Sequence, residues 1–387
     1  RSETVWRSVS KSNFCDAKYR IAERKRENMT MFQSSYRLRT LWRNLDLPFV
    51  ILILLNALFG MVMISSAGGA HYVLVQAAAF SLGICGVVAL MILDYEYLGR
   101  ISRYLYAAGV LLLVLVLIPG IGSVRGGARS WFAFGPINLQ PSELVKIFFI
   151  ITFSKQLSDH EDDLNRPKVF LSLLLHLGIF CVLILLQPDF GTAAVFIGIA
   201  LVMLFTANLS LKYVFGGIGA LAAICPLVWF FVLQDYQKNR IISAFWPERD
   251  PSGSGYHVIQ SKIAVGSGRF FGTGLYKGSS QVNNLLPERH TDFIYAAVCE
   301  ELGMLGGILV ILLLTLLIFR CISIGQNARN PLGSHICVGV AAMLIFQVFE
   351  NIGMCLGLFP VTGITLPFYS YGGSSMITTM LAMGLVL

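Results

Sequence analysis

The chain is short of charge. Only 13% of its 387 residues are Asp, Glu, Lys or Arg, while 56% are hydrophobic; a soluble domain carries about 25% charged residues. So little charge cannot cover a chain of this length, which excludes an ordinary water-soluble enzyme and leaves a protein whose surface largely meets lipid. No soluble domain of useful size fits between the long apolar runs. Redox and metal motifs are missing too. The eight cysteines (Cys15, Cys85, Cys181, Cys225, Cys299, Cys321, Cys337 and Cys355) form no CxxC or Cys/His ligand spacing. Most lie in apolar runs, where cysteine acts as a small hydrophobe, and the six histidines are equally dispersed. Gly266, Gly268, Gly272 and Gly274 echo a dinucleotide loop, but no βαβ unit surrounds them. No cleavable signal peptide is visible, because the first apolar run is long enough to span and ends without a cleavage site.

What the sequence has instead is a series of apolar runs. A bilayer crossing takes about 20 residues of helix, and mean hydropathy is +0.70. The pattern predicts an all-α polytopic membrane protein with spans near 47–66, 72–93, 103–120, 141–156, 169–187, 190–206, 211–234, 292–319, 334–357 and 372–387. Residues 46–387 then form a single transmembrane domain preceded by a basic cytoplasmic segment, 1–45. Residues 1–28 are polar and without apolar period, with Met29 and Met31 just beyond. They are read as a cytoplasmic tail or, preferably, as sequence upstream of the native start; the apolar run ending at Leu387 is read as truncated.

The net charge of +8 is partitioned. Arg37, Arg39, Arg43, Arg100, Arg103, Arg166, Lys168, Arg320 and Arg329 all fall on one side if ten spans alternate, so that side is cytoplasmic and both termini are inside. Two outer loops depart from this. One, about 121–140, carries Arg125 and Arg129; the other, 235–291, carries Lys238, Arg240, Arg249, Lys262, Arg269, Lys277 and Arg289. Long loops are largely exempt from the orientation rule, and long ordered loops are often functional. Their cations call for an anionic partner, either a substrate or lipid headgroups; no nucleic acid is expected. Residues 237–245 and 256–264 mix apolar and basic residues and suit helices lying in the interface.

Three constellations carry candidate chemistry. In Leu286-Pro287-Glu288-Arg289-His290-Thr291-Asp292-Phe293 titratable groups crowd the point where the long loop re-enters the membrane. Thr291 or Asp292 suits a helix cap, and a carboxylate there also suits general-base chemistry on an anionic lipid substrate. Glu143 and Lys146 share a helix face at i, i+3, and Asp189 follows Gln187-Pro188. Charges inside a membrane domain normally pair or face a polar cavity, so Lys146 is expected to pair with Asp189 or Glu143 and fix the bundle. Finally, residues 360–375 carry two prolines and paired glycines, which imply irregular backbone lining a cavity. The helix that follows could offer N–H groups to a phosphate, with Ser374 or Ser375 as cap. Gln347, Glu350 and Asn351 form a polar stripe, by default interhelical glue.

In these places the chain resembles the SEDS family (shape, elongation, division and sporulation) of RodA and FtsW proteins. The matching stretches are Gly127-Ala128-Arg129-Ser130-Trp131, Gln140-Pro141-Ser142-Glu143-Leu144, Gln187-Pro188-Asp189, Leu286 to Asp292, Glu300-Glu301-Leu302-Gly303, Asn351-Ile352-Gly353-Met354 and 360–375. Ile263 to Gly268, leading into Gly272-Thr-Gly-Leu275, looks more like the elongation member. Tyr295, where the family often has Phe, is a mild departure. The resemblance implies a ten-span peptidoglycan glycosyltransferase of the bacterial cytoplasmic membrane that polymerises lipid II on the outer face. It also implies a class B penicillin-binding protein as partner within the elongation or division machinery. Asp292 is then the essential carboxylate, the base of an inverting transfer. Arg240, Lys262 and Arg289 would hold the diphosphate, with Glu288, His290, Ser370, Gly372, Gly373 and Ser374 as further substrate contacts. A divalent cation, magnesium or manganese, would assist, although no ligand motif supports it. Two rivals are a lipid II flippase built around Glu143, Lys146 and Asp189, since midplane charges and broken helices mark transporters, and a scaffold that only holds the transpeptidase.

Overall fold

Every predicted span falls on a helix. In the computed structural model these are α1 (Leu47–Ala67), α2 (Ala70–Ile92), the short α3 (Tyr95–Arg100), α4 (Ser102–Leu117), α5 (Pro141–Asp159), α6 (Pro167–Leu185), α7 (Phe190–Thr206) and α8 (Leu211–Phe231). The long loop contributes α9 (Asp235–Phe245) and α10 (Ser254–Ser267), and α11 (Ile294–Gln326), α12 (Pro331–Cys355) and α13 (Gly373–Val386) complete the bundle. The structure describes residues 45–125, 128–134, 137–231, 235–250, 253–278, 286 and 288–387, and this architecture belongs to one unit, Pro48–Leu387. Among the described residues, α1, α2, α6, α11 and α12 are long and apolar enough to cross a membrane, and α4, α7 and α13 are shorter apolar helices.

The bundle core is built around α12, which packs against α5, α7 and α11, while α13 lies along α2. Small residues let these helices approach: Gly83 lies under Met380, and Gly384 meets Val87. Cys181, Cys299, Cys321, Cys337 and Cys355 are buried, and with exposed Cys85 they are free thiols. One end of the bundle is closed by short connections. Asp94 caps α3 through Glu96 N–H at 3.0 Å, and Asn330 accepts from Gly333 N–H at the start of α12 and from the Tyr95 hydroxyl. Arg100, Arg103 and Arg329 belong to this end.

At the other end two features depart from the pattern read above. Residues 121–140, expected as loop, form an antiparallel sheet of β1 (Gly122–Arg125), β2 (Ala128–Phe134) and β3 (Ile137–Leu139). Gly122 pairs with Phe132, Phe132 with Leu139, and a bulge between Ser123 and Val124 bends the edge strand. Arg129 donates to the Leu117 carbonyl and ties the sheet to the end of α4.

The second departure is a break in α11 at Gly303, whose φ of 67° is a backbone that glycine adopts at little cost. Residues 269–274 fill the break: Thr273 and Gly274 N–H donate to the Glu300 and Glu301 carbonyls, and Met304 N–H to the Arg269 carbonyl. The freed groups of the interrupted helix therefore have partners, as low-dielectric surroundings require. Buried Glu301 accepts from Ser66 and from Tyr276 N–H, clamping the same loop to α1. All of 294–301 is buried, whereas Met304, Leu305, Ile308 and Leu309 are exposed. Residues 304–326 rise about 34 Å on their own, enough for a hydrocarbon core of about 30 Å. The predicted span at 292–319 thus divides into an inner helix enclosed by protein and a separate lipid-facing one.

Candidate functional site

The N-termini of α5, α7, α11 and α13 and the C-terminus of α12 meet at the sheet-bearing end. Gln140, just before α5, donates its backbone N–H to Ser374 Oγ and its amide to Asp189 Oδ2, both at 3.3 Å. Asn351 on α12 donates from one amide nitrogen to the carbonyls of Asp292 (2.8 Å) and Ile364 (2.7 Å). The irregular segment 360–372 threads between these termini. Gly191 at the start of α7 has Thr362, Ile364 and Glu350 directly above it and no room for a methyl group.

Asp292 lies in a turn ahead of α11. Glu288 starts that turn with φ 53°, and its carbonyl accepts from Thr291 and Phe293 N–H. The cap position falls on Phe293 with no side-chain cap bond, and the Thr291 hydroxyl reaches back to Glu288. The expectation that Thr291 or Asp292 caps this helix is therefore corrected. The turn is held through three consecutive carbonyls: His290 accepts from Tyr371 N–H (2.8 Å), Thr291 from Ser370 Oγ (2.6 Å) and Asp292 from Asn351. The carboxylate points to exposed Gly363, where an added methyl would lie 3.5 Å from Oδ2. Burial, followed by repulsion from Glu288, pushes the Asp292 carboxyl up to about 6. A carboxylate in that range is a competent base near neutral pH.

The charged set on α5 and α7 resolves differently. Lys146 Nζ bonds Glu143 Oε1 at 2.8 Å with both side chains buried. Asp189 is not the lysine's partner: it caps α7, accepting from Thr192 N–H (3.0 Å) and the Thr192 hydroxyl (2.8 Å). Burial raises its carboxyl, and the two Thr192 bonds pull the other way. Glu350 lies within electrostatic reach of Asp189 and Lys146. These groups sit at the same end of the bundle as Asp292, at helix termini.

The expected phosphate-binding residues are spread out. Exposed Lys262 on α10 folds across Gly357 beyond α12, and an added methyl at Gly357 would lie 2.6 Å from its Nζ. Arg240 belongs to α9, and its side chain is outside the described residues. Glu288 is exposed and Arg289 half-buried beside Asp292. The His290 ring packs 4.4 Å from Tyr72, and burial lowers its affinity for a proton. Ser370 is buried; its hydroxyl donates to Thr291 and accepts from Leu366 N–H at 2.7 Å. Ser374 donates to the Asn138 carbonyl and accepts from Gln140. Both serines engage protein partners, so their role here is to hold the segment. Gly372 occupies the cap position of α13 without a side-chain bond, Gly373 follows, and Ser375 bonds Thr365; neither Ser374 nor Ser375 caps the helix as expected. Among the described residues no three acidic, histidine or cysteine side chains converge as a metal-binding set.

Gln140, Glu301 and Asn351 organise this end. Gln140 and Glu301 were legible only as members of motifs, and Asn351 also as part of a polar stripe that interhelical glue explained equally well.

Three comparisons bear on this geometry. The profile of the FtsW/RodA/SpoVE cell cycle proteins matches residues 41–387. Stage V sporulation protein E of Bacillus subtilis (strain 168) is 40% identical over 354 residues, covering 88% of this chain and 96% of its own. The peptidoglycan glycosyltransferase MrdB of Escherichia coli (strain K12) is 34% identical over 353 residues, covering 90% and 95%. A chain of a solved peptidoglycan synthase complex that coordinates polymerization and crosslinking superposes with a TM-score of 0.77 at 32% identity, covering 89% of this chain and 96% of that one.

Proposed function

The chain belongs to the FtsW/RodA/SpoVE family of cell cycle proteins, and from that premise we propose that it is a peptidoglycan glycosyltransferase that polymerises lipid II. The observation that carries the reading is Asp292. It is a carboxylate of raised proton affinity, not engaged in capping, on a turn held by bonds to three consecutive carbonyls beside an open glycine. In the reaction an acceptor sugar hydroxyl attacks the anomeric carbon of the donor. The new C–O bond forms as the bond to the diphosphate oxygen breaks, and undecaprenyl diphosphate leaves with the electron pair. Asp292 takes the hydroxyl proton and later releases it to water. Attack opposite to the leaving group inverts the centre, converting an α-linked donor into a β-linked glycan. Charge developing on the diphosphate needs nearby donors; Arg289 is the closest in sequence, and Lys262 and Arg240 lie on the helices of the same loop.

The reading extends to location. The membrane is the bacterial cytoplasmic one, with the short basic loops and both termini inside and Asp292 on the outer face. Arg100, Arg103 and Arg329 support that orientation, since they belong to the opposite end of the bundle from Asp292. Residues 46–387 act as one ten-span domain. The loop pattern at 263–275 favours an elongation role, in complex with a class B penicillin-binding protein.

The test is polymerisation by purified protein, supplied with labelled lipid II in detergent together with its transpeptidase partner. Wild type should make long glycan strands and Asp292→Asn none, with expression and partner binding intact. Polymer at normal yield from the variant would remove the base assignment. Flipping without polymer from the wild type would replace the enzyme with a transporter.

A further inference from the structure

We infer that Asn351 is a positioning residue for the base, setting where Asp292 sits relative to the segment that carries Gly363. This rests on the reading of Asp292 given above. The side chain is fully buried near the C-terminal end of α12, and its single amide nitrogen donates to two carbonyls from different parts of the chain. One belongs to Asp292 itself and the other to Ile364, the residue after Gly363. A shared donor at 2.8 and 2.7 Å fixes the separation between the turn and the segment, and with it the gap over the carboxylate where an acceptor hydroxyl must enter. Among the described residues its Oδ1 has no hydrogen-bond partner, so none of them orients the side chain from behind by a second bond.

Two neighbours make the brace specific. Ser370 and Tyr371 hold the carbonyls of Thr291 and His290 from the far end of the same segment. Asn351 adds a third body, α12, to that pairing, and it reaches both the turn and the segment. The Cys355 thiol, one turn later, lies 3.8 Å from the same Asp292 carbonyl and is a much weaker donor, so it cannot replace the amide.

Loss of the amide donor leaves two buried carbonyls without it, and the turn relaxes away from the segment. Water then reaches Asp292. The titratable and charged groups around that carboxylate are Glu288, Arg289 and His290 on its own turn, Cys355 and, further off beside Thr362, Glu350 on α12, and His257 on α10, whose ring stacks on Phe293; the Ile364 segment adds Tyr371, whose ring lies 5.8 Å from that of His290. Burial is the main cause of the raised proton affinity, so hydration should carry it back toward the ordinary carboxylate range.

The experiment measures polymerisation of lipid II against pH for Asn351→Ala, with Asn351→Ser as a variant that keeps one short donor. Asn330→Ala, at the opposite end of the same helix, serves as the control for general loosening of α12. For Asn351→Ala the expected result is at least a tenfold fall in kcat with KM within twofold. The acid limb of the profile should move to lower pH by half a unit or more, with Asn351→Ser intermediate and Asn330→Ala unchanged in its limb. Wild-type kcat, or an unmoved limb, in either folded Asn351 variant would overturn the inference, as would an equal limb shift in Asn330→Ala. If Asp292→Asn itself polymerises lipid II, the base assignment falls first and the brace with it. If Asp292→Asn is inactive while Asn351→Ala behaves as wild type, only the brace falls.

Discussion

Asp189 and Asp292 occupy matching places: each stands just ahead of a helix at the same end of the bundle. Their side chains have opposite fates. Asp189 accepts from Thr192 twice and from Gln140, and so completes α7. Asp292 leaves the cap to Phe293, and the bonds around it go to its carbonyl. A helix terminus next to a carboxylate is thus not enough to identify its role. What separates structure from chemistry is whether the oxygen atoms are already occupied by local donors.

Substitutions that treat the two carboxylates alike should separate them. Asp292→Asn keeps shape but removes the proton acceptor, and polymerisation should fall by at least about 10²-fold, the lower range for loss of a general base, measured as strand yield from labelled lipid II. Lys146→Met probes the other region by stranding the buried Glu143 carboxylate. Breaking a buried pair by removing one partner costs about 3–5 kcal/mol, read as a large fall in thermal stability in detergent. Adding Glu143→Leu should restore most of it. If Lys146→Met leaves stability unchanged, the pair is not a structural tie.

The pH dependence sharpens the contrast. Asp292 must be ionised to act, and burial raises its carboxyl to about 6. The rate should therefore drop about tenfold per pH unit below that value and level off above it, a limb that Asp189→Asn should leave in place. The smallest effect is Asp189→Asn itself. Asn caps a helix about as well as Asp, so only the charge at the helix N-terminus is lost, about 0.3–1 kcal/mol, seen as a modest stability loss with polymerisation reduced in proportion. A complete loss of activity there, in folded protein, would erase the distinction between the two sites.

Much of this end was legible in the sequence, and the omissions have physical reasons. Apolar runs locate helices because lipid imposes their length, so all ten segments fell on helices. Residues 237–245 and 256–264 were readable from their mixed faces and became α9 and α10. The sheet at 122–139 was not, since three short strands separated by glycines carry too weak an alternation to stand out from loop. Neither was the break at Gly303: Glu300-Glu301-Leu302-Gly303 keeps helical periodicity, and only the inserted backbone of 269–274 shows where the helix stops. Lys146 had two carboxylates within sequence reasoning, and spacing alone favoured neither. Ser370 and Ser374 looked available for substrate because a hydroxyl's partner, when it is a carbonyl far along the chain, leaves no mark on local sequence.

The most direct measurement sets Asp292→Asn beside Asp189→Asn in one assay, with labelled lipid II, the transpeptidase partner and a folding check on each. Glycan strands from folded Asp189→Asn and none from folded Asp292→Asn is the predicted result. Strands from Asp292→Asn at wild-type yield would contradict the assignment of that carboxylate as the base.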